Sequence, residues 1–472
     1  MLGKIPPFGT SNATTMMKSW KSLTALAVFL AASMEAHGQE TIVDYVPMNP
    51  VHDIMNLALD LDAMGRAVEG KSNFDAAFKI YNEGGHSESV AKLEVRDGGL
   101  KYFLDEGTIV SGESVSGAKV TGTVMKDYLI GDREVEVMYN QDVGCFVGGL
   151  ERPDDAGCFV QEGTLTVSGQ SEPLPYFYNV FAGNINLRTI AQLSKNAEAE
   201  FSVNGEVDKG MFPEFSKFVE YFGSPTYADD IMLAVFRGRE HEFPKHTFDF
   251  GGWSDEDRAW LIERGPAYMN VAMHVLGQFE KARIACVEGC TGDDCNRESI
   301  LHLDAAVALY TGSLYQSKNE GNMMYGLADQ MCKIFKTCGW DVDSITGTSH
   351  VNLINFVKFK DAQTKFQQGA CTDADTDLRV VAKMMFVPLW QGLLYSGYHK
   401  LRREGTVFAI ATLPLLEHCS EGWGNHIFRY FLPDSTDTIH FPYMKKIMER
   451  FYSCIDLDCQ SMGGIWREGK QE

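Results

Sequence analysis

Hydrophobic residues recur at helical spacing along most of the chain. Asn49 followed by Pro50 is a typical helix start, and apolar side chains then return every three or four positions from Ile54 to Val68. A second helix is predicted from about Phe74 to Tyr81, because a pair of glycines follows it. The helical pattern resumes at about Leu187 and continues nearly to the C-terminus.

Between about Thr108 and Tyr178 the pattern changes. Short β-branched runs alternate with glycine and serine, as in "TIVSGESVSGAKVTGTV" and "GTLTVSG". This stretch also contains Cys145 and Cys158, which are spaced to close a short loop. The pattern predicts a small, disulfide-bearing β insertion over residues 108–178.

A short motif occurs twice. "NFDAAFKIYNEGG" begins at Asn73 and "HLDAAVALYTGSL" begins at His302, and both contain Asp-Ala-Ala, three further residues and a tyrosine. The acidic stretch "CVEGCTGDDCN" lies between them as a candidate boundary. We therefore predict a mainly α fold of two pseudo-repeated helical halves, residues 39–285 and 286–472, with the β insertion in the first.

The N-terminal stretch resembles a secretory signal. Lys18 and Lys21 precede an apolar run from Leu23 to Ala32, and small residues suited to cleavage follow near Gly38. The prediction is a signal peptide over residues 1–38, with an N-terminal extension, and no membrane span in the mature chain. The expected location is secreted, periplasmic or at the cell surface.

Eleven cysteines fit an oxidising compartment. Spacing suggests short loops closed by Cys145 with Cys158, Cys332 with Cys338, and Cys454 with Cys459. Three more, Cys286, Cys290 and Cys295, cluster without zinc-finger spacing. The sequence alone does not assign the pairs.

The net charge of −22 argues against a nucleic-acid surface, which needs clustered Lys and Arg. The many carboxylates are oxygen donors of the kind that hard cations prefer. No nucleophile elbow, phosphate-binding glycine loop or HExxH motif is present. We therefore expect a binding protein and not an enzyme.

The two motif aspartates have different neighbours. Ser72 precedes Asp75 by three residues, as in a capping box. Asp304 lies among apolar residues, and an unpartnered carboxylate there would cost several kcal/mol, so we expect a buried partner: a cation, an arginine or a hydroxyl. Asp62 is placed to pair with Arg66, and Asp60 is interpreted as solvated. In "REHEFPKH", which contains His246, a charged surface loop is the default interpretation.

Nine stretches, in order, resemble the low-iron-inducible periplasmic proteins of algae, the Fea domain family, whose diatom members are called phytotransferrins. They cover nearly the whole mature chain: "LDLDAMGRA" with "AAFKIYNEGGHS", "GCFVGGLERPDDAGCFVQEGTLTV", "NLRTIAQLS", "YFGSPTYADDIMLAVFRG", "HLDAAVALYTGSL", "GNMMYGLADQMCKIFKTCG", "VPLWQGLLYSGY", "EGTVFAIATLPLLEHC" and "LDCQSMGGIW".

The resemblance implies iron assimilation: Fe³⁺ bound together with carbonate and concentrated for uptake, with a cell-surface reductase or uptake receptor as partner. Hard carboxylate oxygens and phenolates suit Fe³⁺. The candidate metal ligands are Asp304, Tyr310, Tyr81, Tyr227, Asp230 and Asp62. Arg188 and Thr189 open a predicted helix and form the candidate carbonate site.

Two other functions stay open from the sequence. A secreted metalloenzyme or carbonate-handling enzyme would retain a metal with an open coordination position and show turnover. A non-metal structural protein of the cell surface would show neither a metal nor an acidic cleft.

Overall fold

The computed structural model describes residues 41–70, 72–140, 145, 147, 155–203, 206–207, 212–288, 296–317, 322–467 and 470–471. From Thr41 onward the chain forms one compact unit. The predicted signal peptide, residues 1–38, lies outside the described residues, as do Cys290 and Cys295. Among the described helices, none is long and apolar enough to cross a bilayer.

Seven antiparallel strands follow the first three helices. They are β1 (Ser89–Val95), β2 (Ile109–Glu113), β3 (Lys119–Val124), β4 (Glu134–Tyr139), β5 (Glu162–Val167), β6 (Leu174–Phe177) and β7 (Asn184–Asn186). They pair in the order β4-β3-β2-β5-β6-β1-β7, and a further pairing of β1 with β4 closes six of them into a barrel. Strand β7 lies beside the first half of β1, where β6 does not reach.

The helices hold about 53% of the residues. Those before and just after the barrel are α1 (His52–Met55), α2 (Leu57–Val68), α3 (Phe74–Glu83), α4 (Val180–Gly183), α5 (Ile190–Phe201), α6 (Pro213–Phe222), α7 (Tyr227–Arg237), α8 (Asp255–Pro266) and α9 (Ala272–Glu288). The later helices are α10 (Arg297–Thr311), α11 (Met324–Phe335), α12 (His350–Gln367), α13 (Cys371–His399), α14 (Arg402–Cys419), α15 (Trp423–Phe428), α16 (Phe441–Arg450) and α17 (Cys459–Met462).

A π-helical segment (Ala267–Val271) joins α8 to α9, and three short hairpins complete the structure. The hairpins are β8 (Ser202–Val203) with β9 (Glu206–Val207), β10 (Glu240–Glu242) with β11 (Thr247–Asp249), and β12 (Trp466–Arg467) with β13 (Lys470–Gln471).

The predicted mainly α fold with a small β insertion is wrong. The β segment is a closed barrel with its own buried core, which includes Val110, Val137, Leu165 and Tyr176. It begins at Ser89, well before the predicted start at residue 108. Closure depends on β1 pairing with β4 across about forty residues of chain, and local periodicity carries no signal for such a contact.

The two copies of the motif have different environments, which gives no support to the repeated halves. Asp75 is exposed in the first turn of α3, and Asn73, not Asp75, caps this helix by accepting from the Ala76 N–H at 3.1 Å. Asp304 is fully buried in the middle of α10.

Four disulfides link described cysteines. Cys145–Cys158 and Cys332–Cys338 confirm two pairings expected from spacing. The third expected pairing is wrong, because Cys454 bonds Cys419 and leaves Cys459 as an exposed thiol. Cys286 bonds Cys371, which ties the end of α9 to the start of α13. Four disulfides fit an oxidising compartment.

A close approach between α13 and α14 yields a stability prediction. A methyl group at Gly392 would lie 2.3 Å from the Phe408 ring, so we expect Gly392→Ala to lower the free energy of unfolding by about 1–3 kcal/mol through overpacking. Denaturant unfolding measures this, with Gly252→Ala as the control because no atom lies within 4 Å of that position. Stabilisation of the Gly392 variant would contradict the tight packing.

Candidate functional site

Asp304 contacts the start of the described chain. Its Oδ2 accepts from the backbone N–H groups of Met48 and Asn49, both at 2.9 Å, and from Asn49 Nδ2 at 2.8 Å. Its Oδ1 accepts from the Tyr45 hydroxyl and from Gln363 at 3.4 Å. Burial raises the pKa of this carboxyl, and these hydrogen bonds oppose the rise. The buried partner expected for Asp304 is therefore residues 45–49 together with Gln363.

Tyr310 and Tyr81 lie in separate buried networks. The Tyr310 hydroxyl donates to Asn352 Oδ1 at 2.5 Å and accepts from Asn355 at 3.0 Å. The Tyr81 hydroxyl donates to Asp229 at 2.9 Å and accepts from Asn270 at 3.1 Å. Burial raises the pKa of both phenols.

The other three predicted metal ligands have local partners. Tyr227 is buried and stacks on Phe222 with ring centres 4.8 Å apart. Asp230 accepts from the hydroxyls of Ser224 and Thr226 at 2.6 and 3.2 Å near the start of α7. Asp62 is partly exposed and pairs with Arg66 at 2.6 Å, as its spacing predicts.

The predicted anion-binding pair is engaged within the protein. Arg188 donates to Glu88 at 2.9 Å, and its other terminal nitrogen lies 3.4 Å from His274 Nε2. Thr189 caps α5 in a reciprocal capping box with Gln192. The structure thus brings Arg188 and Thr189 to a helix start, as predicted, although both have partners there.

A different constellation combines side chains from three separated segments. Tyr221 lies in the last turn of α6, His246 follows the turn of the β10–β11 hairpin, and Asn425 lies in α15. Tyr221 Oη is 2.6 Å from His246 Nε2 and 2.8 Å from Asn425 Oδ1, and these last two atoms are 2.9 Å apart. We refer to these three residues as the Tyr–His–Asn cluster.

Local sequence explains two of the three positions. Gly223 follows α6 directly with φ of +70°, a left-handed conformation that suits glycine, so the helix ends with Tyr221 in its last turn. In the hairpin, the Phe243 N–H donates to the His246 carbonyl at 2.8 Å across Pro244 and Lys245. Proline is favoured at the first central position of such a turn.

The cluster has fewer protons than contacts. Asn425 Nδ2 donates to Glu417 at 2.8 Å, so the amide oxygen is the atom that faces the other two residues. The phenol O–H and one imidazole N–H are then the only hydrogens available for three short contacts. Three oxygen and nitrogen atoms that carry lone pairs and lie within 2.9 Å of one another form a candidate cation site.

Surrounding groups hold the cluster in place. The buried Glu417 carboxylate accepts from Asn425 Nδ2, from the backbone N–H groups of Gly422 at 2.9 Å and Asn425 at 3.1 Å, and from Lys245 at 3.4 Å. The Phe428 ring stacks on the His246 imidazole with centres 4.7 Å apart. The side-chain positions are therefore set before any ligand arrives.

The cluster borders an open pocket of about 350 Å³, within the usual range for small-ligand sites. Tyr221, Lys217, Lys245, Glu417 and Glu421 line it. Burial raises the pKa of Tyr221, and the nearby Glu417 charge adds to the rise. Burial lowers the pKa of His246, although its bond to Asn425 opposes this. Near neutral pH the phenol is therefore protonated and the imidazole uncharged.

Two of the three donor atoms in the cluster suit a hard cation. In the described part of the chain, no three His, Cys, Asp or Glu side chains converge as a metal site requires, so any site here must use other donors. Ligands about 2.1 Å from an ion on adjacent octahedral positions are about 3 Å apart, close to the cluster's spacings. A phenolate oxygen and an amide oxygen are hard donors, and an imidazole is a borderline one.

Little in the local sequence indicates this site. The "REHEFPKH" stretch drew attention to His246, but nothing local marks Tyr221 or Asn425, which lie 25 residues before and 179 residues after it. Asp60, interpreted as solvated, is fully buried against His86, with Oδ1 and Nδ1 at 2.6 Å.

No family model matches the chain, and no match is found among curated proteins or solved structures. The resemblance to the Fea domain family stays a prediction.

Proposed function

We propose that the protein binds ferric iron at the Tyr–His–Asn cluster, in an oxidising compartment, and concentrates it for uptake. The convergence of Tyr221 Oη, His246 Nε2 and Asn425 Oδ1 within 2.6–2.9 Å of one another carries the proposal. Because the protein supplies only three ligands, the bound iron has further coordination positions, which are open to ligands from the pocket. In this proposal carbonate takes some of them beside Lys217 and Lys245.

The chemistry of the cluster supports iron over softer metals. A phenolate is a strong ligand for Fe³⁺, and a bound cation can displace a phenolic proton that burial otherwise retains. The cluster contains no thiolate, the ligand that softer metals select. Without a metal, the Tyr221 O–H donates to Asn425 Oδ1, and His246 in its Nε2–H tautomer donates to the phenol oxygen, so two of the three contacts are hydrogen bonds.

A ferric titration of the purified protein tests the proposal. Iron is supplied as the nitrilotriacetate complex with and without bicarbonate, and the visible absorbance of a tyrosinate-to-iron transition is followed. We expect a band that saturates at one iron per chain and strengthens with bicarbonate. Absence of both colour and retained iron would exclude the function and favour a structural role at the cell surface.

The pH dependence of iron binding follows from the proton that the Tyr221 phenol must lose. Because burial raises the pKa of Tyr221, each iron that binds must displace one proton, and affinity should fall about tenfold for each unit of decrease in pH. His246 adds little to this slope near neutrality, since its pKa is lowered. Titrations between pH 6.5 and 8 measure the slope, and an affinity independent of pH would show that no phenolate is formed.

A further inference from the structure

Large apolar side chains protrude from one end of the barrel. Phe103 in the β1–β2 connection is 61% exposed, and Leu129 and Ile130 in the β3–β4 connection are 60% and 58% exposed. Isolated exposed apolar residues need no explanation, but three on adjoining loops form a patch of the kind that marks an interaction site.

Backbone hydrogen bonds join the two loops. Leu104 and Tyr128 exchange bonds at 3.1 and 2.8 Å, and Leu100 exchanges bonds with Gly131 and Asp132 at 2.8 Å each. Phe103 is therefore held beside the loop that presents Leu129 and Ile130. We call residues 98–105 and 126–132 the barrel tip. Because its backbone is fixed, little conformational entropy is lost when it binds.

The barrel tip lies away from the point where the barrel joins the helices. The chain enters the barrel at Ser89 and leaves through Asn186, which pairs with Ser89. The tip follows the opposite end of β1, beyond Val95. The tip therefore lies at one end of the barrel, and the connections to the helices lie at the opposite end.

A mixed-charge pocket adjoins the tip. It measures about 500 Å³, and Arg96, Arg133, Glu94, Asp97 and the Gly98–Gly99 turn line it. Arg96 pairs with Glu162 at 2.9 Å, whereas Arg133 makes no ion pair with another described residue. Two guanidinium groups beside two carboxylates complement a ligand that carries one negative and one positive group.

We infer that the barrel tip binds the surface of a phospholipid bilayer. Phe103, Leu129 and Ile130 enter the boundary between headgroups and acyl chains, and the adjoining pocket receives a zwitterionic headgroup. The phosphate faces Arg133, and the positively charged ammonium group of the headgroup faces Glu94 and Asp97. Protruding apolar side chains with charged groups behind them suit this interface, where apolar burial drives binding and headgroup contacts orient it.

Flotation of the purified full chain with phosphatidylcholine vesicles tests the inference. We expect the wild-type protein to float with the vesicles, and the triple variant Phe103→Ser, Leu129→Ser, Ile130→Ser to lose at least about tenfold in partitioning. Arg133→Glu should weaken partitioning by a smaller factor. Val115→Ser is the matched control, because Val115 is 50% exposed in the β2–β3 turn at the other end of the barrel.

Several outcomes would overturn the inference. Wild-type protein that stays in solution excludes bilayer binding, and equal loss in the Val115→Ser control shows that the tip has no special role. Self-association that depends on the three apolar residues, measured by light scattering without lipid, would assign the tip to an interface between copies of the chain. Thermal unfolding of each variant confirms that the exposed substitutions leave the fold intact.

Discussion

Asp304→Ala is expected to lower the free energy of unfolding by about 3–5 kcal/mol, the usual cost of removing one partner from a buried charged network. The substitution leaves four donors without an acceptor: the Tyr45 hydroxyl, the N–H groups of Met48 and Asn49, and the Asn49 amide. Each buried unsatisfied donor costs about 1–3 kcal/mol, although water entering the gap recovers part of this.

The same substitution should release residues 41–49 from α10 and α12. Denaturant unfolding measures the stability, and hydrogen exchange at Met48 and Asn49 measures the local opening. Asp62→Ala is the control: it also removes a predicted metal ligand, but its pair with Arg66 is exposed and contributes only a few tenths of a kcal/mol. Equal effects of the two variants would show that Asp304 does not hold the N-terminal segment.

Tyr221→Phe is expected to abolish the iron-dependent visible band and to weaken ferric binding by more than about 100-fold, since loss of a metal's outer-shell partners alone costs 10- to 100-fold. The change removes one oxygen and keeps the ring. The hydrogen bonds to His246 and Asn425 are lost with it, at a stability cost of about 1 kcal/mol.

Tyr310→Phe provides the matched comparison, because it also removes a hydroxyl that makes two hydrogen bonds. If iron binds at the Tyr–His–Asn cluster, this variant keeps the band at full intensity. Loss of colour in Tyr310→Phe with retention in Tyr221→Phe would move the site to Tyr310 in α10, one of the ligands predicted from the sequence. Equilibrium dialysis with radioactive iron separates lost binding from lost colour.

Local sequence signals predicted local structure well. The apolar pattern from Ile54 to Val68 is helical, although it is divided at Asn56 into α1 and α2, and the first of these begins at His52 and not at Pro50. The helix predicted from about Phe74 to Tyr81 extends to Glu83, and strands follow residue 108 as expected. Closure of the barrel was not predictable from them, because β1 (SVAKLEV) resembles any half-buried strand and only its pairing with β4 and β6 makes it a barrel strand.

For the candidate site, too, local features were predictable from the sequence and long-range contacts were not. A buried partner for Asp304 was expected from its apolar neighbours, and the structure supplies one. The identity of that partner was not predictable, since it lies about 255 residues away in the chain. The Tyr–His–Asn cluster draws on a helix end, a hairpin turn and a six-residue helix, so no spacing within one segment marks it.

The antiparallel pairing of β1 with β7 has a consequence for how this architecture arose. Ser89 and Asn186 face each other, Leu187 donates to the Glu88 carbonyl at 3.1 Å, and Arg188 binds Glu88 across the same junction. The barrel is thus a cassette whose two ends meet at one point between α3 and α5. A gene could gain, lose or exchange such a cassette while the surrounding helices keep their contacts, so related chains with a different module at this junction, or with none, are to be expected.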